Sequence, residues 1–140
     1  MREYELQIAE LFVRLLAGML FMFQGFDKLF RIRMPAVIDV FALDAKRAHI
    51  PVPILKIISW LTSMVEFGAG LLLIAGLWTT FALYALGIDL LLVSFAFTYM
   101  KPMWDLSHVF PRFILLIFLL VVPPQARVFT LDHLLKVEKT

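Results

Sequence analysis

Four runs of mainly apolar residues, each near twenty residues long, constrain this chain more than any other feature. They extend from about Ile8 to Phe30, Ile54 to Leu77, Thr79 to Met100 and Trp104 to Val122. A helix needs about 20 such residues to cross a hydrocarbon layer about 30 Å thick. Only structures that satisfy their own backbone hydrogen bonds persist there. Four runs within 140 residues therefore predict an all-α, integral membrane four-helix bundle forming a single domain over residues 1–140. Composition leads to the same place. Hydrophobic residues make up 62% of the chain and mean hydropathy is +0.91. Soluble chains average roughly 45–50% apolar residues, and a soluble domain of this size has too little interior to hide the excess.

The punctuation between the runs predicts the connections. Trp78 and Thr79 leave room only for a tight antiparallel hairpin between runs two and three. Lys101-Pro102 separates runs three and four, and Pro123-Pro124 ends the fourth, because proline lacks a donor and blocks helix continuation. Trp78, Tyr99 and Trp104 fall near run ends, where amphipathic rings favour the membrane interface. The first loop, about Arg31 to Pro53, is the longest. Pro35 opens either a short interfacial helix, with Val37, Ile38, Val40 and Phe41 on one side, or a plain connecting loop. After Pro124, Thr130 is a candidate N-cap for a short C-terminal surface helix carrying Leu131, Leu134, Leu135 and Val137. Gly18 and Gly25 are expected to allow close helix approach.

Charge excludes several functions. Net charge is only +2, and no basic stripe with interleaved aromatics suggests nucleic acid. With no cysteine, the chain has no disulfide, thiolate metal site or dithiol chemistry. The acidic start, Met1-Arg2-Glu3-Tyr4-Glu5, followed by an apolar run, does not read as a cleaved signal peptide. Basic residues are somewhat richer in the first and third loops, including Lys28, Arg31, Arg33, Lys46 and Arg47. By the positive-inside rule this puts the termini outside.

The chemistry lies in polar residues inside the apolar runs: Arg14, Gln24 and Asp27, then Glu66, Asp89, His108 and Arg112. A charge at mid-membrane costs about 2.5–3.5 kcal/mol on insertion scales, so these residues are expected to face inward and compensate one another. Counting from the terminal side puts Glu66, Asp89 and Arg112 at one depth. Arg14 falls about five residues shallower, roughly 7–8 Å away, within reach of a long side chain. Gln24, Trp60, Thr62, Ser94 and His108 form a second level, and Asp27 and Asp105 a third. Asp105, His108 and Arg112 share one helical stripe, as do Ser59, Thr62, Ser63, Glu66 and Gly70. The expectation is a polar track running from the long-loop side to a charged cluster. Two explanations stand: charges that only fix helix register, or a pocket for a ligand or proton. Asp105-x-x-His108 with Glu66 is thin evidence for a metal site, and no metal is expected. Ser107 and His108 point apart on a helix and form no dyad.

The first run reads Arg14-x-x-x-Gly18-x-x-Phe21-x-x-x-Gly25-x-x-Lys28, and the second Glu66-x-x-x-Gly70 followed by Gly76-Leu77-Trp78-Thr79. These residues resemble the DoxX-like family of small four-helix membrane proteins. The resemblance implies a link to respiratory or redox complexes. Relatives include the membrane subunit of a thiosulfate:quinone oxidoreductase, a partner of a secreted superoxide dismutase, and assembly factors for membrane receptors. Arg14, Lys28 and Glu66 carry the family pattern; Asp89 and the Asp105-His108-Arg112 stripe do not belong to it.

Residues and resemblance together suggest a subunit of a membrane oxidoreductase complex that binds a quinone or small anion, with no cofactor of its own and a redox protein as partner. Arg14, Gln24, Lys28, Trp60, Glu66, Asp89, His108 and Arg112 would line the ligand site. Glu66 and His108 are the candidates for proton exchange, His108 because imidazole titrates near neutral pH. The alternatives are a non-catalytic assembly or scaffold protein and a small-solute or proton carrier, the last requiring a homodimer. The expected setting is multi-pass, in a bacterial or archaeal cytoplasmic membrane.

Overall fold

The computed structural model describes residues 2–100, 107 and 109–137. The described residues form helices and no strand. In chain order these are α1 (Arg2–Phe26), a π-helical turn (Asp27–Arg31), α2 (Met34–Arg47), α3 (Val52–Ala75), α4 (Thr79–Met100), α5 (Phe110–Val121), a 3-10 turn (Pro124–Ala126) and α6 (Leu131–Val137). The expected start of the fourth run at Trp104, and the Lys101-Pro102 break, lie outside the described residues.

α1 with its π-helical turn, α3 and α4 are each long and apolar enough to cross a membrane. At 1.5 Å per residue, the 24 residues of α3 span about 36 Å. α5 is a shorter apolar helix. α1 packs against α3 and α5, and α4 packs against the same two, which closes a four-helix bundle. Its outer face carries Phe12, Ile57, Met64, Phe81, Ile88, Leu91 and Phe95 in exposed positions. An apolar exterior of this kind suits lipid contact. The chain is an all-α membrane helical bundle.

Lipid is as apolar as leucine, so membrane helices associate through close packing rather than through hydrophobic burial. α1 and α3 make the most extensive contact in the bundle, and glycine makes it possible. A Cβ on Gly70 would sit 2.8 Å from the Met22 Cα and 2.9 Å from the Gly18 carbonyl oxygen. One on Gly25 would meet Ser63 O at 2.7 Å and clash with the Phe67 backbone. Gly18 and Gly25 thus play the part expected of them, with Gly70 as their counterpart. These contacts also set the register: Gly18 lies opposite Gly70 and Ile74, and Gly25 opposite Ser63 and Phe67.

The first loop resolves as α2, with Pro35 in its first turn, where a missing donor costs nothing. Met34, Val37, Ile38 and Ala45 face the bundle and pack with Leu55 and Met100. Val40 points outward, because steps of 100° leave it off the stripe formed by 34, 37, 38, 41 and 45. Arg33 (φ 69°) and His49 (φ 59°) turn the chain at either end of α2 in the left-handed region. α3 ends at Gly76, whose φ of 67° would strain any other L-residue. Its N–H bonds Leu73 O, and that of Leu77 bonds Leu72 O.

Candidate functional site

The buried polar residues separate into two groups at opposite ends of the bundle. Near the long-loop end, Lys28 Nζ donates to both carboxylate oxygens of Glu66, at 2.9 and 2.7 Å. The register places Glu66 about level with Gln24, one turn short of Lys28. Side chains tilt toward a helix N-terminus, so Lys28 reaches back along α1 to meet the glutamate. Glu66 is 1% exposed. Asp89 on α4 is 5% exposed, and its Oδ2 has no hydrogen-bond partner among the described residues. Asp89 is close enough to both Glu66 and Lys28 to feel their charges. Arg112 on α5 is near enough to interact with Glu66 but makes no hydrogen bond or ion pair among the described residues.

Beside this group lies a cavity of about 180 Å³ lined by α1, α2, α3 and α4. Its walls are mainly apolar, with Phe41, Leu55, Ile58, Val93, Phe97 and Met100 among them. Phe41 of α2 meets Phe97 of α4 edge-on at 4.9 Å, which closes that side. The polar end is made by Gln24, Lys28, Ser59, Thr62 and Ser63. Thr62 and Ser63 both donate to Ser59 O, at 3.2 and 2.7 Å. Gln24 Oε1 is a buried acceptor without a donor among the described residues. An ammonium group has three N–H bonds. Glu66 takes two of those on Lys28, leaving one beside the cavity.

At the terminal end, Arg14 is 1% exposed and Glu10 0%. Arg14 Nε bonds Glu10 at 3.0 Å. Its Nη1 bonds Leu73 O at 2.7 Å and Nη2 bonds Phe129 O at 2.6 Å. Arg127, 9% exposed, bonds Thr80 Oγ1 at 3.0 Å and Leu119 O at 2.7 Å. Asp132 accepts from the Trp78 and Thr79 N–H groups at 2.8 and 2.9 Å, capping α4 from 53 residues away. Thr130 Oγ1 accepts from the His133 N–H at 3.1 Å, the N-cap bond expected of it.

This arrangement departs from the sequence expectation at several points. Arg14 does not join Glu66. The register puts it opposite Gly76, ten residues and about 15 Å further along α3, and its donors are spent on carbonyls at helix ends. Trp60 does not flank the cavity. It is 48% exposed and shares the outward stripe of Ile57, Leu61 and Met64. His108, Asp105 and the track through them lie outside the described residues. The structure brings together Gln24, Lys28 and Glu66, with Asp89 and Arg112 near the glutamate. Sequence reasoning missed Glu10, although its spacing of four from Arg14 is the separation at which helical side chains meet. It also missed Arg127 and Asp132, whose partners lie far away in sequence. Among the described residues, no group of three or more His, Asp and Glu side chains gathers as a metal site.

The DoxX family profile matches residues 9–99, which run from within α1 through nearly all of α4 and include both partners of the Lys28–Glu66 pair. The chain belongs to the DoxX family. No curated protein and no solved structure matches it. Within this DoxX protein, the matched region carries the whole wall of the cavity except Met100.

Proposed function

We propose that this DoxX protein binds a quinone in the cavity beneath α2, as the membrane subunit of an oxidoreductase complex whose redox partner supplies the electrons. The observation that carries the reading is a partly open, mainly apolar cavity with one polar end, which Lys28 lines. Binding sites for rings in apolar cavities commonly pair such walls with a few placed polar groups. Phe41 and Phe97 suit the ring, and Lys28 suits a carbonyl oxygen. Gln24 Oε1 is an acceptor for the hydroxyl of the reduced form. The carboxylates of Glu66 and Asp89 next to Lys28 disfavour a small anion, so a neutral carbonyl ligand fits better. Glu66, held at the polar end by Lys28, is the candidate for proton exchange; a quinone reduced by two electrons takes up two protons. In this reading the protein is multi-pass and sits in a bacterial or archaeal cytoplasmic membrane.

The test is binding of a short-chain quinone to purified protein in nanodiscs, followed by calorimetry. Ala96→Trp fills the cavity and is expected to abolish binding while helix content stays unchanged. Retained binding in that variant removes the cavity from the proposal.

One observation favours a second reading, an assembly or scaffold protein. Glu66 already has a close partner, and such a pair can hold α1 to α3 without any ligand. A Lys28→Met/Glu66→Gln double variant that folds and supports oxidoreductase function in cells would favour this reading.

A further inference from the structure

A second cavity, about 110 Å³, opens at the opposite end of the bundle. It lies between the start of α4, the 3-10 turn and α6, far from the Lys28–Glu66 pair. Thr79, Thr80, Pro124, Arg127, Thr130, Asp132 and His133 line it. Unlike the first cavity it has no apolar wall beyond Pro124. It holds one fixed cation and one fixed anion, Arg127 and Asp132, which make no ion pair with each other although they line the same space. Arg127 is nine-tenths buried and its Nε has no acceptor among the described residues. Asp132 is held in place by its bonds to the first turn of α4, and Thr80 by its bond from Arg127. The two opposite charges are thus fixed on one cavity and kept apart.

The surroundings fix the setting. Trp78, Phe129, Leu131, Leu134 and Leu135 are all exposed and lie within one or two residues of lining positions in the chain. In a membrane protein an apolar collar of this kind, at helix ends and with a tryptophan, lies at the level where headgroups meet acyl chains.

We propose that this cavity binds the headgroup of a zwitterionic phospholipid carrying a primary ammonium, phosphatidylethanolamine in chemical class. The phosphate lies toward Arg127, Thr80 and His133, and the ammonium toward Asp132. A net anion meets the Asp132 carboxylate, and a quaternary ammonium has no N–H to donate to it. The acyl chains leave over the collar. This site is independent of the cavity under α2 and of any ligand there.

The experiment uses delipidated full-length protein in detergent, with affinity read by native mass spectrometry and by the shift in unfolding temperature. The probes are phosphatidylethanolamine, phosphatidylcholine and phosphatidylglycerol with identical chains, soluble phosphoethanolamine, and inorganic phosphate. The expected result is tightest binding of phosphatidylethanolamine. Asp132→Asn abolishes its preference over phosphatidylcholine, and Thr80→Leu, which fills the cavity mouth, weakens binding about tenfold, the equivalent of one lost charge-assisted contact. Arg127 is left intact because it also holds the end of α5. Both variants are checked for unchanged helix content, and His133→Ala serves as a milder variant should either misfold. Equal binding of all three lipids, or unchanged binding in the folded variants, overturns the proposal. Inorganic phosphate binding as tightly as the lipid also overturns it, in favour of a free-phosphate site.

Discussion

The two ends of this bundle bury similar polar residues and treat them oppositely. At the terminal end, Arg14 joins Glu10 to the carbonyls of Leu73 and Phe129, and Asp132 caps α4. Apart from the Arg14–Glu10 contact within α1, each bond ties a helix end or the tail to its neighbour. At the long-loop end, Lys28 and Glu66 pair beside a cavity, while Asp89 Oδ2 and Gln24 Oε1 have no donor among the described residues. Burying a polar atom without a partner costs free energy. Glu10 Oε2 and Arg127 Nε at the terminal end are also unpartnered among the described residues, so the two ends differ in what their bonds join: helix ends and the tail at the first, a single pair beside a cavity at the second.

The largest effect that can break this contrast is at the terminal end. Arg14→Met removes the side-chain bonds to Leu73 O and Phe129 O and leaves Glu10 buried without its partner. Removing one partner of a buried pair costs about 3–5 kcal/mol. Reversible unfolding in bicelles is expected to show a loss of that order, and adding Glu10→Gln restores only part, since the bonds from Arg14 to α3 and to the tail stay missing. A loss under about 1 kcal/mol would mean that the arginine is not the clasp described here.

Next is the seam joining the two ends. Gly70→Ala places a methyl against the Met22 backbone, which cannot yield as a flexible side chain can. Overpacking of this kind costs about 1–3 kcal/mol, again read by unfolding in bicelles. Because the seam sets the register that brings Lys28 to Glu66, the variant is also expected to weaken quinone binding.

The long-loop end should behave differently. Replacing both members of a buried pair by apolar or neutral groups is often close to neutral. Lys28→Met/Glu66→Gln is therefore expected to change stability by less than about 1 kcal/mol. Quinone affinity is expected to fall about tenfold or more, as for one lost hydrogen bond to a charged group. Stability loss as large as that of Arg14→Met would make both ends structural and favour the scaffold reading.

How much of this could be read beforehand follows from the range of each interaction. Apolar runs long enough to span lipid, and small residues at Gly18 and Gly25, are local signals, and the structure contains both. Thr130 as N-cap is local too. The error in placing Arg14 came from counting depth from run ends: the true register is set by backbone contacts of glycines with Met22, Ser63 and Phe67, which no periodicity reveals. Trp60 was drawn into the site by its depth, although its helical phase puts it among lipid-facing residues. The Asp132 cap joins residues 53 apart. The left-handed turns at Arg33 and His49 use residue types that carry no turn signal, whereas Pro35 and the apolar side of the first loop are local signals, and they give α2 as a short interfacial helix.

The smallest effect tests the contrast most directly. Asp89 is buried, has an oxygen without a donor, and sits beside another carboxylate. If the long-loop end is kept for a ligand rather than for stability, this residue is a burden on the fold. Asp89→Leu replaces the carboxyl by an apolar group of similar size. Removing an unpartnered buried polar group is expected to leave stability unchanged or raise it by about 1 kcal/mol, the opposite sign to Arg14→Met. Proton uptake on quinone reduction, followed with a pH-sensitive dye in nanodiscs with a chemical reductant, is expected to slow in the same protein. A fold weakened by more than about 1 kcal/mol would show that Asp89 has a stabilising role. The two ends would then differ in geometry and not in purpose.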